Sequence, residues 1–182
     1  LHNGTGPDFE LGVAPLAPTP RDQWRALLPH DPAVRLEDVD AFAGHLVVHQ
    51  RSDWLTQLRI LELATGADHR IAFEEAAHDV GVGTNAEFET QTLRFHYTSL
   101  TMPPSTWDYD LRTHERHLKK RQPVPGYDPT LYASERIAAR APDGTAVPIS
   151  RLRSSIRSRM RRWTVTSSAE VGSSAMISSG LS

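Results

Sequence analysis

The sequence predicts an all-β chain organised as part of a β-propeller, and two observations carry that reading. Short β-compatible runs alternate with turn residues over most of the length, with little helical periodicity. The runs also fall into sets of roughly four per 40–50 residues, a cadence that favours a propeller over a sandwich or barrel. A third feature, an abrupt change of composition near residue 150, limits how far the sheet reading extends.

The elements follow in chain order. Phe9-Glu10-Leu11-Gly12-Val13 alternates apolar with other residues and ends in a stretch broken by Pro15, Pro18 and Pro20. Leu46–Gln50 and Leu58–Leu63 flank Ser52-Asp53 and read as a hairpin. Thr65-Gly66 turns the chain towards His69–Phe73, so that one set of strands spans about residues 36–73. A second set spans about residues 80–121. It contains the cleanest alternation in the chain, Thr92-Leu93-Arg94-Phe95-His96-Tyr97-Thr98, because side chains of a strand point to its two faces in turn. Trp107–Leu111 follows, then a turn at Arg112-Thr113, then Arg116–Arg121. Arg136–Arg140 and Thr145–Ile149 bracket Pro142-Asp143-Gly144, a further hairpin.

At 182 residues the chain is long enough for one ordinary domain, and 38% hydrophobic with 7% aromatic residues is a lean globular composition. The formal net charge of -2 points to no particular partner. The absence of cysteine excludes disulfides and thiolate metal sites and fits a reducing, intracellular compartment. No apolar run reaches the roughly 18–20 residues of a helical membrane span, so no membrane partner is expected. Leu1-His2-Asn3-Gly4 offers neither a basic nor an apolar leader region and lacks an initiating Met, which suggests a start inside a longer reading frame. Acidic residues dominate up to Ser150. Beyond it Arg151, Arg153, Arg157, Arg159, Arg161 and Arg162 face a single acid, Glu170, amid many serines. Residues 151–182 are therefore expected to be a disordered basic tail, since such a segment cannot offset its ordering entropy.

Specific strings add a family resemblance. Arg35-Leu36-Glu37-Asp38-Val39-Asp40 followed by His45-Leu46-Val47-Val48 resembles a propeller segment of the prolyl oligopeptidase family, especially its oligopeptidase B-like members. So do Asn85–Thr90 leading into Leu93–Ser99, Pro104–Asp110, Lys120-Arg121-Gln122 and Gly126-Tyr127-Asp128. Tyr132–Arg136 and Asp143–Ser150 resemble the crossing into the family's peptidase domain. The resemblance implies roughly the last two to three propeller blades over residues 1–132, the first hairpin of an α/β-hydrolase over 133–150, and an unassigned tail over 151–182. It further implies a cytoplasmic serine peptidase acting on short peptides, cutting after Arg or Lys or after Pro. The sequence departs from the family pattern at Trp54, Thr84, His96 and His114, which stand where glycine is common. Past Ser150 an apolar strand is due, and Arg151-Leu152-Arg153-Ser154-Ser155 stands instead, as a truncation or a shifted reading frame would give.

No catalytic, cofactor-binding or metal-ligating residue is expected. Serine catalysis needs a nucleophile on a strained strand-to-helix turn with a histidine and an acid behind it. The nearest string, Gly172-Ser173-Ser174-Ala175-Met176, has Met where the turn needs Gly; Asp38 and Asp40 have no such turn to serve. His114-Glu115-Arg116-His117 spaces its imidazoles by three on a strand or turn, which sends them apart. Gly81-Val82-Gly83 is too short for a phosphate loop. The arginines after Ser150, with Trp163 alone for stacking, point to no specific nucleic-acid partner. The resulting expectation is a catalytically silent propeller fragment prone to self-association through its open blades. The alternative is a stand-alone β-rich binding module.

Overall fold

The computed structural model describes residues 1–154. Its strands are β1 (Leu11–Val13), β2 (Arg25–Leu28), β3 (Val34–Ala41), β4 (His45–Ser52), β5 (Leu55–Glu62) and β6 (Asp68–Arg70). They continue as β7 (His78–Val82), β8 (Thr92–Ser99), β9 (Ser105–Asp110), β10 (Arg116–Arg121), β11 (Tyr132–Arg140) and β12 (Ala146–Ser154). Single 3-10 turns at Arg21–Gln23 and Pro129–Leu131 are the only helical pieces among the described residues. None is long and apolar enough to cross a membrane.

All pairing is antiparallel between sequential neighbours. β3-β4-β5-β6 form one four-stranded sheet and β7 to β10 a second, each with the chain order of a propeller blade. β1-β2 and β11-β12 are two-stranded. The expected groups of four are therefore the two sheets. β2 is an element that the sequence reading passes over, and β6 stops at Arg70 although Ile71 still donates its N–H to the Leu58 carbonyl.

Packing follows from strand alternation. Val47, Leu58 and Ile60 of the first sheet meet Val80, Leu93, Phe95, Tyr97 and Tyr109 of the second in the main core. The opposite face of the first sheet, with Leu36 and Val48, packs on Leu11 and Leu28 of β1-β2 in a smaller core. The molecule is thus layered, with β1-β2 on the first sheet and that sheet on the second. One polar stitch crosses the main seam. Thr56, 3% exposed, donates to Asp79 Oδ1 at 2.9 Å and accepts from the Val80 N–H at 2.8 Å.

The β11-β12 hairpin is joined to the blades differently. Neither strand contains a buried residue. Arg136 donates to the Asp53 carboxylate at 2.8 Å and to the Asp53 carbonyl at 2.7 Å, tying β11 to the β4–β5 turn. Ser134 donates to Glu75 at 3.2 Å, and Tyr132 stacks on Tyr127 of the preceding linker at 5.4 Å. The hairpin also runs further than the composition implied. β12 continues through Arg151–Ser154, paired in register with Glu135 back to Tyr132, so a tail beginning at residue 151 is corrected for these positions. Arg151 and Arg153 both pair with Glu135, a cross-strand partner that composition does not reveal. The rest of the expected tail lies outside the described residues.

Candidate functional site

A cavity with an aromatic wall opens at the seam between the two sheets. Alternation in β8 sends Phe95 and Tyr97 towards the first sheet, β9 adds Trp107 on the same face, and Phe73 arrives from the chain beyond β6. These rings, with Glu74, Glu75, Met102, His114 and Arg116, line a cavity of about 530 Å³. That is within the range of small-molecule and side-chain pockets. Phe73 stacks on Tyr97 with centroids 4.8 Å apart and meets Phe95 edge-on at 5.9 Å. Arg116 lies over Phe73 at 5.6 Å and donates to the Ala72 carbonyl at 2.9 Å. Trp107 Nε1 donates to Ser105 Oγ at 2.9 Å, and Ser105 donates in turn to the Tyr97 carbonyl at 2.9 Å.

The electrostatics of this cavity suit holding rather than reacting. Burial, with Glu75 nearby, pushes the Tyr97 hydroxyl up to about 12, so it stays protonated. Glu75 is occupied by hydroxyls, accepting from Thr101 at 2.6 Å and from Ser134 at 3.2 Å. An aromatic wall with two carboxylates and one guanidinium can seat an apolar or cationic group.

The residues singled out in the sequence are dispersed. Asp38 and Asp40 lie on β3. Asp38 Oδ1 accepts the Val39 N–H at 2.8 Å, and burial followed by the Asp38 charge raises the Asp40 carboxyl above its usual range. His49, opposite them on β4, approaches Glu37 at 3.6 Å. His114 and His117 diverge as their spacing requires. His114 stacks on His69 at 4.1 Å, whereas His117 is exposed beside Glu115 at 3.8 Å. Gly81 and Val82 are strand residues of β7. Among the described residues no three His, Cys, Asp or Glu converge as a metal-ligand set. Ser173, Ser174, Trp163 and the arginines from Arg157 onward lie outside the described residues. Sequence reasoning missed two features, the Arg136–Asp53 junction and the Glu75 node. Each joins segments far apart in the chain, and no local pattern signals either.

Comparison with known proteins agrees with this geometry. The family described as prolyl oligopeptidase, N-terminal β-propeller domain, matches residues 1–122. Dipeptidyl aminopeptidase BI of Pseudoxanthomonas mexicana is 37% identical over 143 residues, covering 78% of this chain and 20% of that protein. Oligopeptidase B from Trypanosoma brucei, solved in a closed form with covalently bound antipain, superposes with a TM-score of 0.65 and 31% identity. That match covers 72% of this chain and 20% of that one. Oligopeptidase B from Leishmania major gives a TM-score of 0.66 at 26% identity, over 74% of this chain and 20% of its own. The chain thus spans about a fifth of the length of the relatives it matches.

Proposed function

Because the chain belongs to the prolyl oligopeptidase family through its N-terminal β-propeller domain, we propose that it is the propeller portion of an oligopeptidase B-like serine peptidase. In that reading the blades bound the space that short peptides enter, and the described residues supply no catalytic group. The observation that carries it is the ordered pair of four-stranded sheets followed by a separately docked hairpin, alongside 37% identity to a peptidase over 143 residues. A cytoplasmic location is part of the same proposal and is checked by cell fractionation. The main test is labelling of the purified chain with a fluorophosphonate probe beside an assay with Arg- and Pro-containing short peptides. No labelling and no hydrolysis are expected; serine labelling that prior denaturation abolishes would overturn the proposal.

One observation favours a second reading, a stand-alone binding module. A groove of about 600 Å³ crosses the outward side of the second sheet, where Pro104 and Pro123 lie beside His96, Thr98, Thr106 and Lys120. Saturable peptide-induced NMR shifts at His96 and Thr98 in the isolated chain would support that reading.

A further inference from the structure

Two histidines from different sheets meet at the outer end of the main seam. His69 lies on β6 and His114 in the β9–β10 turn; their ring centroids are 4.1 Å apart with planes inclined by 30°. His69 Nε2 is 2.9 Å from the Tyr109 hydroxyl, and Tyr109, a β9 residue only 3% exposed, stacks on His114 at 6.0 Å. The three rings form one triangular cluster that spans the two blades. The backbone holds His114 in place at φ 64, a left-handed conformation, with its N–H donated to the Asp110 carbonyl at 2.9 Å.

We propose that the His69–His114–Tyr109 cluster is an acid-sensitive clasp between the two blades, which accommodates one proton and is forced apart by two. A single imidazolium can lie against a neutral ring and still keep the Tyr109 hydrogen bond. Two imidazoliums at 4.1 Å repel in a partly desolvated seam, and the sheets are the parts that can separate.

The surrounding charges do not neutralise a second proton. On β6 itself, Asp68 is ion-paired to Arg59 of β5, and Arg70 adds a further cation. From β4, His45 is 8% exposed, and its Nδ1 has no hydrogen-bond partner. From β9, the Asp110 carboxylate already accepts the N–H groups of Arg112 and Thr113, each at 2.8 Å. From β10, Arg116 adds positive charge near Tyr109. Burial, then His114, holds His69 below the ordinary histidine value; Asp68 opposes this and His45 adds to it. The sign follows. A folded-state value below the unfolded one, about 6.5, means that the clasp's contribution is intact above that pH and is lost as pH falls through the interval below it.

The experiment is a pH titration of the full chain from 8 to 5 by histidine C2–H NMR, with amide-exchange protection at Val80, Phe95 and Tyr97 read in parallel and corrected for intrinsic rates. In the wild type, protection is expected to fall about tenfold for each unit by which His69 is depressed. His114→Gly removes the second proton and the left-handed strain; His69→Phe keeps an aromatic ring in the cluster without a proton. His69→Phe should hold seam protection level across the same range, and His114→Gly should show a smaller acid loss than the wild type. Unchanged wild-type protection between pH 7 and 5, or an acid response of wild-type size in both variants, would each overturn the proposal.

Discussion

Asp53 and Trp54 hold the β4–β5 turn with φ of 50 and 64, the pair of left-handed residues that a type I′ hairpin turn demands. Trp54 is 67% exposed, so little packing repays its conformation. Relief of about 1–2 kcal/mol, less about 0.5–1 for the added freedom of unfolded glycine, leaves Trp54→Gly stabilising by about 1 kcal/mol. Urea unfolding should show a raised midpoint; a lowered one would mean that Trp54 packs where the structure shows it free. Gln50 is the complementary case inside the fold. It is fully buried, donates to Gln57 at 3.1 Å and leaves its own Oε1 without a partner. An unsatisfied buried acceptor costs about 1–3 kcal/mol, so Gln50→Leu should leave the midpoint unchanged or raise it, Gln57 being able to reach water. The Trp54 strain was legible in the sequence, because Asp-Trp stands where a hairpin needs a glycine. The same reasoning separates the other departures only in three dimensions. His114 has a positive φ, while Thr84 and His96 are absent from the left-handed residues and fit their strands or loops without strain.

At the scale of elements, legibility followed burial. β8 was plain because Leu93, Phe95 and Tyr97 alternate with Thr92, Arg94 and His96 across a sheet with one wet face. β2 was not, because only Leu28 of its residues is buried and prolines flank it on both sides. Leu93→Ala, at a fully buried position of the seam, should cost about 2–5 kcal/mol, read as a lowered urea midpoint with unchanged slope. The β11-β12 hairpin presents the opposite situation, since polar contacts rather than burial hold it. Arg136→Ala should raise amide exchange across both of its strands while leaving Leu58 and Phe95 protected. The junction also carries a pH dependence. The hydrogen bond and charge of Arg136 hold the Asp53 carboxyl below its usual range. Its contribution is therefore present above the unfolded aspartate value, about 3.9, and is lost as pH falls below it. The Arg136 guanidinium Nη–H NMR signals of the wild type should lose their bonded positions below about pH 4, with no change between pH 5 and 7.

For the whole molecule, the question is which surfaces of the described residues drive association. The sequence reading expected terminal blades to leave apolar faces uncovered. The outward face of the second sheet is different, because its strands direct Arg94, His96, Thr98, Thr106 and Asp108 outward, with Arg94 and Asp108 paired at 2.7 Å. The alternation that fills the seam thereby makes the far side of the blade compatible with water. The exposed apolar groups lie elsewhere. Val13, Leu16 and Trp24 flank β1-β2, and Ile137, Val147 and Ile149 share one face of the β11-β12 hairpin at 41–44% exposure. That face lies opposite Ser134 and Arg136, so docking on the blades does not cover it. Concentration-dependent association is therefore expected to run through the hairpin rather than through the second blade. Sedimentation velocity of the full chain should show a larger species growing with concentration, shifted towards monomer by Ile137→Lys with Ile149→Lys and unaffected by Thr98→Lys. A monomer at every concentration would remove the association argument, and dissociation by Thr98→Lys alone would place the contact on the polar face instead.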